Sequence, residues 1–381
     1  MLSVSESVGD LALLTWSAGV GSRPVAEQVE EAYRVMDTAL QEASAVVLQE
    51  RVFGDLQASP VVARARARAI GTGNEAWEVP PTFVEGAPVG RSGLAGIHVL
   101  AVKAEGSRLV RDGDQVLGRV VDAPGARLLG LADLGRLVGS PLAPDPAAEA
   151  AAAIDAAEQV LAREGFSFGD VVRTWFYLRD ILAWYGPFNA ARNKAFRRMG
   201  LTGPGGDGAI PASTGIEGRN PRGGWCALDL VAAQAREGQR FEMERLHNRK
   251  QNEAPEYGSA FARGMALTLS GHRYLFISGT ASIDDHGATV HVGDFEAQTM
   301  QTIEAVTALL EGAGASLEDV RQATAFLKNP SDLRSFERIA QRTGLDHVPP
   351  VVTVADVCRE ELLVEIDATA VVPVRDGEAR R

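Results

Sequence analysis

Hydrophobic and polar positions along the chain follow two periods. Phe295, Thr299, Ile303, Val306 and Leu310 step by three and four, which lays one face of a helix on a core. Asp294 stands where an N-cap is expected, and Gly312 and Gly314 where a left-handed C-cap ends the helix. Ser331 is placed to cap a second helix over 333–342, with Leu333, Phe336 and Ala340 inward. The stretch 362–370 alternates instead. Leu362, Val364, Ile366 and Ala368 take one face and Leu363, Glu365, Asp367 and Thr369 the other, which is the period of a strand. Phe188, Arg192 and Phe196 lie at i, i+4 and i+8 and predict one helix face, with Tyr185 a turn before Phe188. Arg64, Arg66 and Arg68 alternate with alanine, which predicts a solvated strand edge.

These patterns recur in order, so the chain contains an internal repeat. One copy runs from Leu131-Ala-Asp-Leu-Gly-Arg-Leu-Val-Gly139 through an Ala-rich helix to Gly165-Phe-Ser-Phe-Gly-Asp-Val-Val172 and Thr174-Trp-Phe-Tyr-Leu-Arg-Asp180. The other runs from Leu269-Ser-Gly-His-Arg-Tyr-Leu-Phe-Ile-Ser-Gly279 to Gly314-Ala-Ser-Leu-Glu-Asp-Val320 and Thr324-Ala-Phe-Leu-Lys-Asn-Pro330. Each reads strand, helix, strand, helix, strand, with a proline-bearing loop (Pro211; Pro349-Pro350) before the closing strand. Helices on one face of a mixed sheet make an α+β module. The expected division is a strand-rich N-terminal extension (1–84), a degenerate module (85–240) and a second module (241–381).

Composition narrows the function. The 381 residues carry 38 Lys and Arg against 50 Asp and Glu, a net charge of −12, which disfavours nucleic acid as a partner. No apolar run is long enough to span a membrane, and the first twenty residues lack a basic leader. Two cysteines, Cys226 and Cys358, cannot form a disulfide framework, and the expected home is the cytoplasm. The six histidines show no zinc spacing and the glycine-rich stretches no phosphate-loop lysine, so no cofactor is expected.

Ile277-Ser-Gly-Thr-Ala-Ser-Ile-Asp284, the Gly-Ala-Ser-Leu-Glu-Asp-Val turn and Leu362-Leu-Val-Glu-Ile-Asp-Ala368 resemble the RidA (YjgF) superfamily. Its fold is a chorismate-mutase-like module that forms trimers with clefts between subunits. Two fused copies, an N-terminal extension, Trp184-Tyr-Gly-x-Phe-Asn-x-x-Arg192, Pro211-Ala-Ser-Thr-Gly-Ile216 and Tyr257-Gly-Ser-Ala-Phe-Ala-Arg-Gly264 together resemble the chorismatases. That resemblance implies cofactor-free cleavage of the enolpyruvyl ether of chorismate, giving pyruvate and a ring acid that serves secondary metabolism. Where a cysteine stands seven residues before the strand glutamate, as Cys358 does before Glu365, the resemblance implies 3-hydroxybenzoate. The alternatives are a hydrolase giving 3,4-dihydroxycyclohexa-1,5-diene carboxylate and a RidA-like binding module without activity. RidA deaminases also carry an arginine about fifteen residues before that glutamate. Here the position is Pro350, so the imino-acid clamp is missing.

Chorismate carries two carboxylates, so its cleavage calls for cations to hold them and an acid to move a proton. Glu365, on an otherwise apolar strand, is the candidate acid/base. Asp229 is its expected counterpart in the first copy. Arg192, on an apolar stripe where the second copy has Ala340, is the candidate clamp, with Tyr185 on the same face. Arg263 and Tyr257, in the segment leading into the second copy, are further candidates for the substrate. Gly264 or Gly271 is expected to allow close approach of the ring, and Cys358 to line the cleft. Fused modules either mimic part of a trimer or assemble into a homo-oligomer.

Overall fold

The computed structural model describes residues 2–4, 9–18, 23–86, 93–138, 145–202, 210–248, 250–251 and 259–374. It contains three sheets, each with helices, and the α+β expectation holds. The first module comprises β1 (Leu2–Val4), β2 (Leu11–Ser17), α1 (Val25–Ala43), β3 (Ala45–Gly54), α2 (Ser59–Ile70), β4 (Thr82–Glu85) and β5 (Leu94–Lys103), in the order β1-β2-β5-β3-β4. The second has β6 (Gly106–Asp112), β7 (Gln115–Asp122), β8 (Ala126–Leu131), α3 (Pro146–Arg163), β9 (Val171–Leu178), α4 (Tyr185–Arg198), β10 (Ala212–Glu217) and β11 (Cys226–Ala235), ordered β10-β9-β11-β8-β7-β6. The third has β12 (Phe241–Leu246), β13 (Gly264–Leu269), β14 (His272–Ala281), α5 (Phe295–Gly312), β15 (Val320–Leu327), α6 (Leu333–Thr343), β16 (Val351–Val354) and β17 (Val364–Pro373), ordered β12-β13-β14-β17-β15-β16.

The N-terminal segment is therefore a third copy rather than a strand-rich extension. β5, expected to open the next module, is the closing strand of the first, paired between β2 and β3. In every copy the closing strand runs antiparallel to the strand after the first helix, which pairs in parallel with the short strand after the second. The first copy hides in the sequence because β3 is buried throughout its polar middle, Gln49-Glu50-Arg51, and shows no alternation. Arg64, Arg66 and Arg68 lie on α2, not on a strand, because Arg and Ala are both strong helix formers. Arg66 forks onto the buried Glu50 carboxylate at 2.7–3.1 Å, and so is not solvated.

In the third module Asp294 caps α5, its carboxylate accepting from the Ala297 N–H at 3.0 Å. Ser331 does not cap α6; it falls within a 3-10 turn, Pro330–Asp332, that leads into the helix. Val364, Ile366, Ala368 and Ala370 of β17 pack with Ile303, Val306 and Phe336 beneath the helices. The opposite sheet face joins a core shared among the modules, where Phe53, Tyr177 and Phe326 meet edge-to-face.

Candidate functional site

The second and third modules join along β10 and the segment before β13. The Ala262 N–H donates to Pro211 O, the Ser213 N–H to Ser278 Oγ, and that hydroxyl to Ala262 O. Along this seam a pocket of about 50 Å³ is lined by Tyr185 and Arg192 of α4 and by Ser213 and Gly215 of β10. Ser259, Phe261 and Arg263 line it from the segment before β13, and Gly279 and Ala281 from β14. Cys358, Arg359 and Glu365 complete it. Its volume lies below the roughly 300–1,000 Å³ of ordinary small-molecule sites, so a ring-sized ligand has to open it.

Five residues singled out in the sequence thus meet at one place: Tyr185, Arg192, Arg263, Cys358 and Glu365. Gly264 does not line the pocket. It begins β13, where an added Cβ would lie 3.1 Å from Leu246 and from the Phe276 carbonyl, so its smallness serves packing between strands. Gly271 lies in the β13–β14 hairpin at φ 77°, a turn role away from the pocket lining. Tyr257 lies outside the described residues.

Glu365 is 5% exposed and accepts no hydrogen bond from the described residues. Burial first, and then the negative Asp367 two residues on, push its pKa up to about 8, with Arg173 opposing. Asp367 behaves in the opposite way. Burial disfavours its charge, but Arg173 and Arg51 outweigh burial and hold it below the usual carboxylate range. Its Oδ2 accepts from Arg173 at 2.9 Å, Trp175 Nε1 at 3.1 Å and Thr214 Oγ1 at 2.8 Å. Two carboxylates on one strand face are therefore set apart: one is fixed as an anion, and the other is poised near neutrality.

The cations flank an aromatic ring. Arg192, 1% exposed, lies 5.0 Å from the Phe188 centroid and 5.6 Å from that of Phe261, and donates to Asn189 Oδ1 at 2.7 Å. Arg263 lies 5.6 Å from the same Phe261 ring. Burial pushes the Cys358 thiol up to about 12, with the Glu365 charge adding, so it is a neutral filler and not a nucleophile. Burial also raises the Tyr185 hydroxyl, which remains a neutral donor.

Several site residues were not legible beforehand. An added Cβ on Gly279 would lie 2.0 Å from Glu365 Oε1, so that glycine makes the space for the acid. It sits where the β14–β17 register shifts, and its only sequence signal is the Ile277-Ser-Gly-Thr run. Arg173, Thr214 and Phe261 look like ordinary strand or loop positions. Asp229 is not the counterpart of Glu365. Asp229 faces Trp175 as Asp367 faces Thr324, whereas Glu365, facing Phe326, corresponds to Ala227, facing Tyr177.

A triplicated α+β module with the Glu365 cleft at the seam of the second and third copies defines the class. The Endoribonuclease L-PSP family profile matches residues 254–372. A RutC family protein of Pyrococcus horikoshii is 35% identical over 99 residues, 26% of this chain and 78% of that protein. The chain belongs to the RutC family. It is also 28% identical over 228 residues to a 3-hydroxybenzoate synthase of Streptomyces hygroscopicus, covering 54% of this chain and 64% of that enzyme's length. A crystal structure of a chorismatase shares the fold across 96% of this chain and 100% of its own, with a TM-score of 0.64 at 20% identity.

Proposed function

We propose that this chain is a chorismatase that converts chorismate to 3-hydroxybenzoate and pyruvate. The observation that carries the reading is one cleft holding a carboxyl of pKa about 8 together with three arginines, Arg192, Arg263 and Arg359. Protonated at neutral pH, Glu365 donates its proton to the methylene carbon of the enolpyruvyl group, which becomes the methyl of pyruvate. The ring–oxygen bond breaks, its electron pair going to the new carbonyl of pyruvate, and the proton the ring gives up on becoming aromatic returns to the Glu365 carboxylate. Arg192 and Arg263 hold the two carboxylates of the substrate by charge-assisted hydrogen bonds. The similarity to a 3-hydroxybenzoate synthase and the chorismatase fold support the same reading. The imine-deaminase alternative lacks its clamp. Pro350 lies in a different cleft, and the residue at the matching ladder position here, one before the strand partner of Trp175, is Ser213.

Chorismate equals 3-hydroxybenzoate plus pyruvate with no water added, whereas the dihydroxydiene product takes up one water. The test is incubation of the purified protein with chorismate. Pyruvate is followed through lactate dehydrogenase, and the ring acid is identified by chromatography and mass. One pyruvate per ring acid without water uptake is expected, and absence of pyruvate overturns the reading. Cys358→Ala opens room of about one water beside Glu365 and shifts the ring acid toward the hydrated product while pyruvate release survives. Identical product ratios would remove Cys358 from the choice of product.

A further inference from the structure

Away from the pocket, the inner faces of the three sheets close around a void of about 10 Å³. Each module contributes lining: Arg51 and His98 from the first, Arg173 and Trp175 from the second, Thr324 and Asp367 from the third. Arg51 and Arg173 are 5% and 1% exposed and lie 4.2 and 4.6 Å from the Trp175 ring centroid. Each leaves a buried Nη1 without a protein partner. We propose that this void is a binding site for one monatomic halide, chloride or bromide, held between the two guanidinium groups.

The reasoning rests on charge and space. Asp367 is the one carboxylate lining the void, and its Oδ2 is occupied by Arg173 Nη2, Trp175 and Thr214. Arg51 makes no ion pair among the described residues. Its neighbour Glu50 is engaged by Arg66 instead. Asp229 lies outside the lining, and its oxygens accept from Gln49, Thr82 and the Asp133 N–H. The remaining polar groups are neutral or engaged. His98 sits between Thr15 and Thr324, and Gln322 donates to the Leu14 and Val99 carbonyls. Two buried guanidiniums thus share one lining carboxylate, Asp367, and a buried charge that is not fully paired is costly. The surroundings report the resulting positive potential: burial and then Arg51 hold His98 down to about 3, and burial, with Arg51 adding, lowers Arg173 to about 10. The void has room for about one water-sized sphere, which favours a monatomic occupant, slightly larger than a water, over a polyatomic oxyanion.

A ligand bound only by the folded state stabilises it by mass action. The protein is dialysed into sodium gluconate, and chloride or bromide is titrated in at constant ionic strength while thermal unfolding is followed. A saturable rise in Tm of about 2–4 °C is expected. Arg51→Gln should abolish the chloride-dependent rise while gluconate leaves both proteins alike. Crystals soaked in bromide should show an anomalous peak between Arg51 and Arg173. That measurement on the unaltered protein decides the matter should Arg51→Gln fail to fold. An unchanged Tm, or bromide soaks with no peak in the void, overturns the proposal and leaves a single water there.

Discussion

Glu365 makes both activity and stability fall as pH rises, and both follow from its pKa near 8. As the proton donor it acts from its neutral form, so activity that depends on it falls as pH rises through about 8. For folding, the unfolded carboxyl titrates near ~4.3, so between there and about 8 the folded state holds more protons than the unfolded one. Stability therefore declines as pH climbs through that window and levels off above it. Glu365→Gln should lower turnover at least ~100-fold and lose less Tm than the parent protein between pH 5 and pH 9. Parallel melting curves and pyruvate assays check this, and near-normal turnover removes Glu365 from the mechanism. Arg192→Met keeps the stack on Phe188 and Phe261 but removes the charge, so KM should rise at least ~30-fold, with little change in Tm. An unchanged KM with a large loss of Tm would make Arg192 structural. These residues were legible because each breaks the pattern of its own element: an acid in an apolar strand, a guanidinium on an apolar helix face. Asp367 breaks the pattern of the same strand, but its pairing with Arg173 was not legible, since the two come from different modules.

Elements place these groups through irregularities more than through their regular parts. The β14–β17 ladder slips between Ile277 and Thr280, and Gly279 within that slip faces Glu365 Oε1. A methyl there cannot coexist with the carboxyl, and the obstruction on the far side is the acid itself. Gly279→Ala should therefore displace Glu365 and cut turnover at least ~10-fold, while the strand pairing on either side persists. Near-normal circular dichroism with depressed pyruvate release is the expected pair of results, and undiminished turnover would show that the glycine serves only the bulge. Periodic elements such as α4, α5 and β17 could be read from sequence because one face is apolar. The first module could not, because its helix α2 buries an Arg66–Glu50 pair and its strand β3 buries three polar residues in succession. Polar residues in a core are meaningful only once their partners across the seam are known.

At the scale of the molecule the three copies are not equivalent. Position by position on the closing strands, His98, Asp229 and Asp367 correspond, and Gly96, Ala227 and Glu365 correspond. The first set ties the modules together: His98 to Thr324 of the third, Asp229 to Gln49 and Thr82 of the first, and Asp367 to Arg173 of the second. In the second set only Glu365 is an acid. A cleft lined only by the second and third modules still depends on the first, whose Leu11, Leu13, Leu48 and Phe53 belong to the core shared with both. Removing residues 1–103 leaves every described pocket residue in the chain but strips that core and leaves Asp229 without its Gln49 and Thr82 donors. The truncated protein should elute as aggregate or melt far below the full chain, and should release no pyruvate from chorismate. A folded, active fragment would mean that the first module is an accessory and that the seams among the three copies do not hold the site in place.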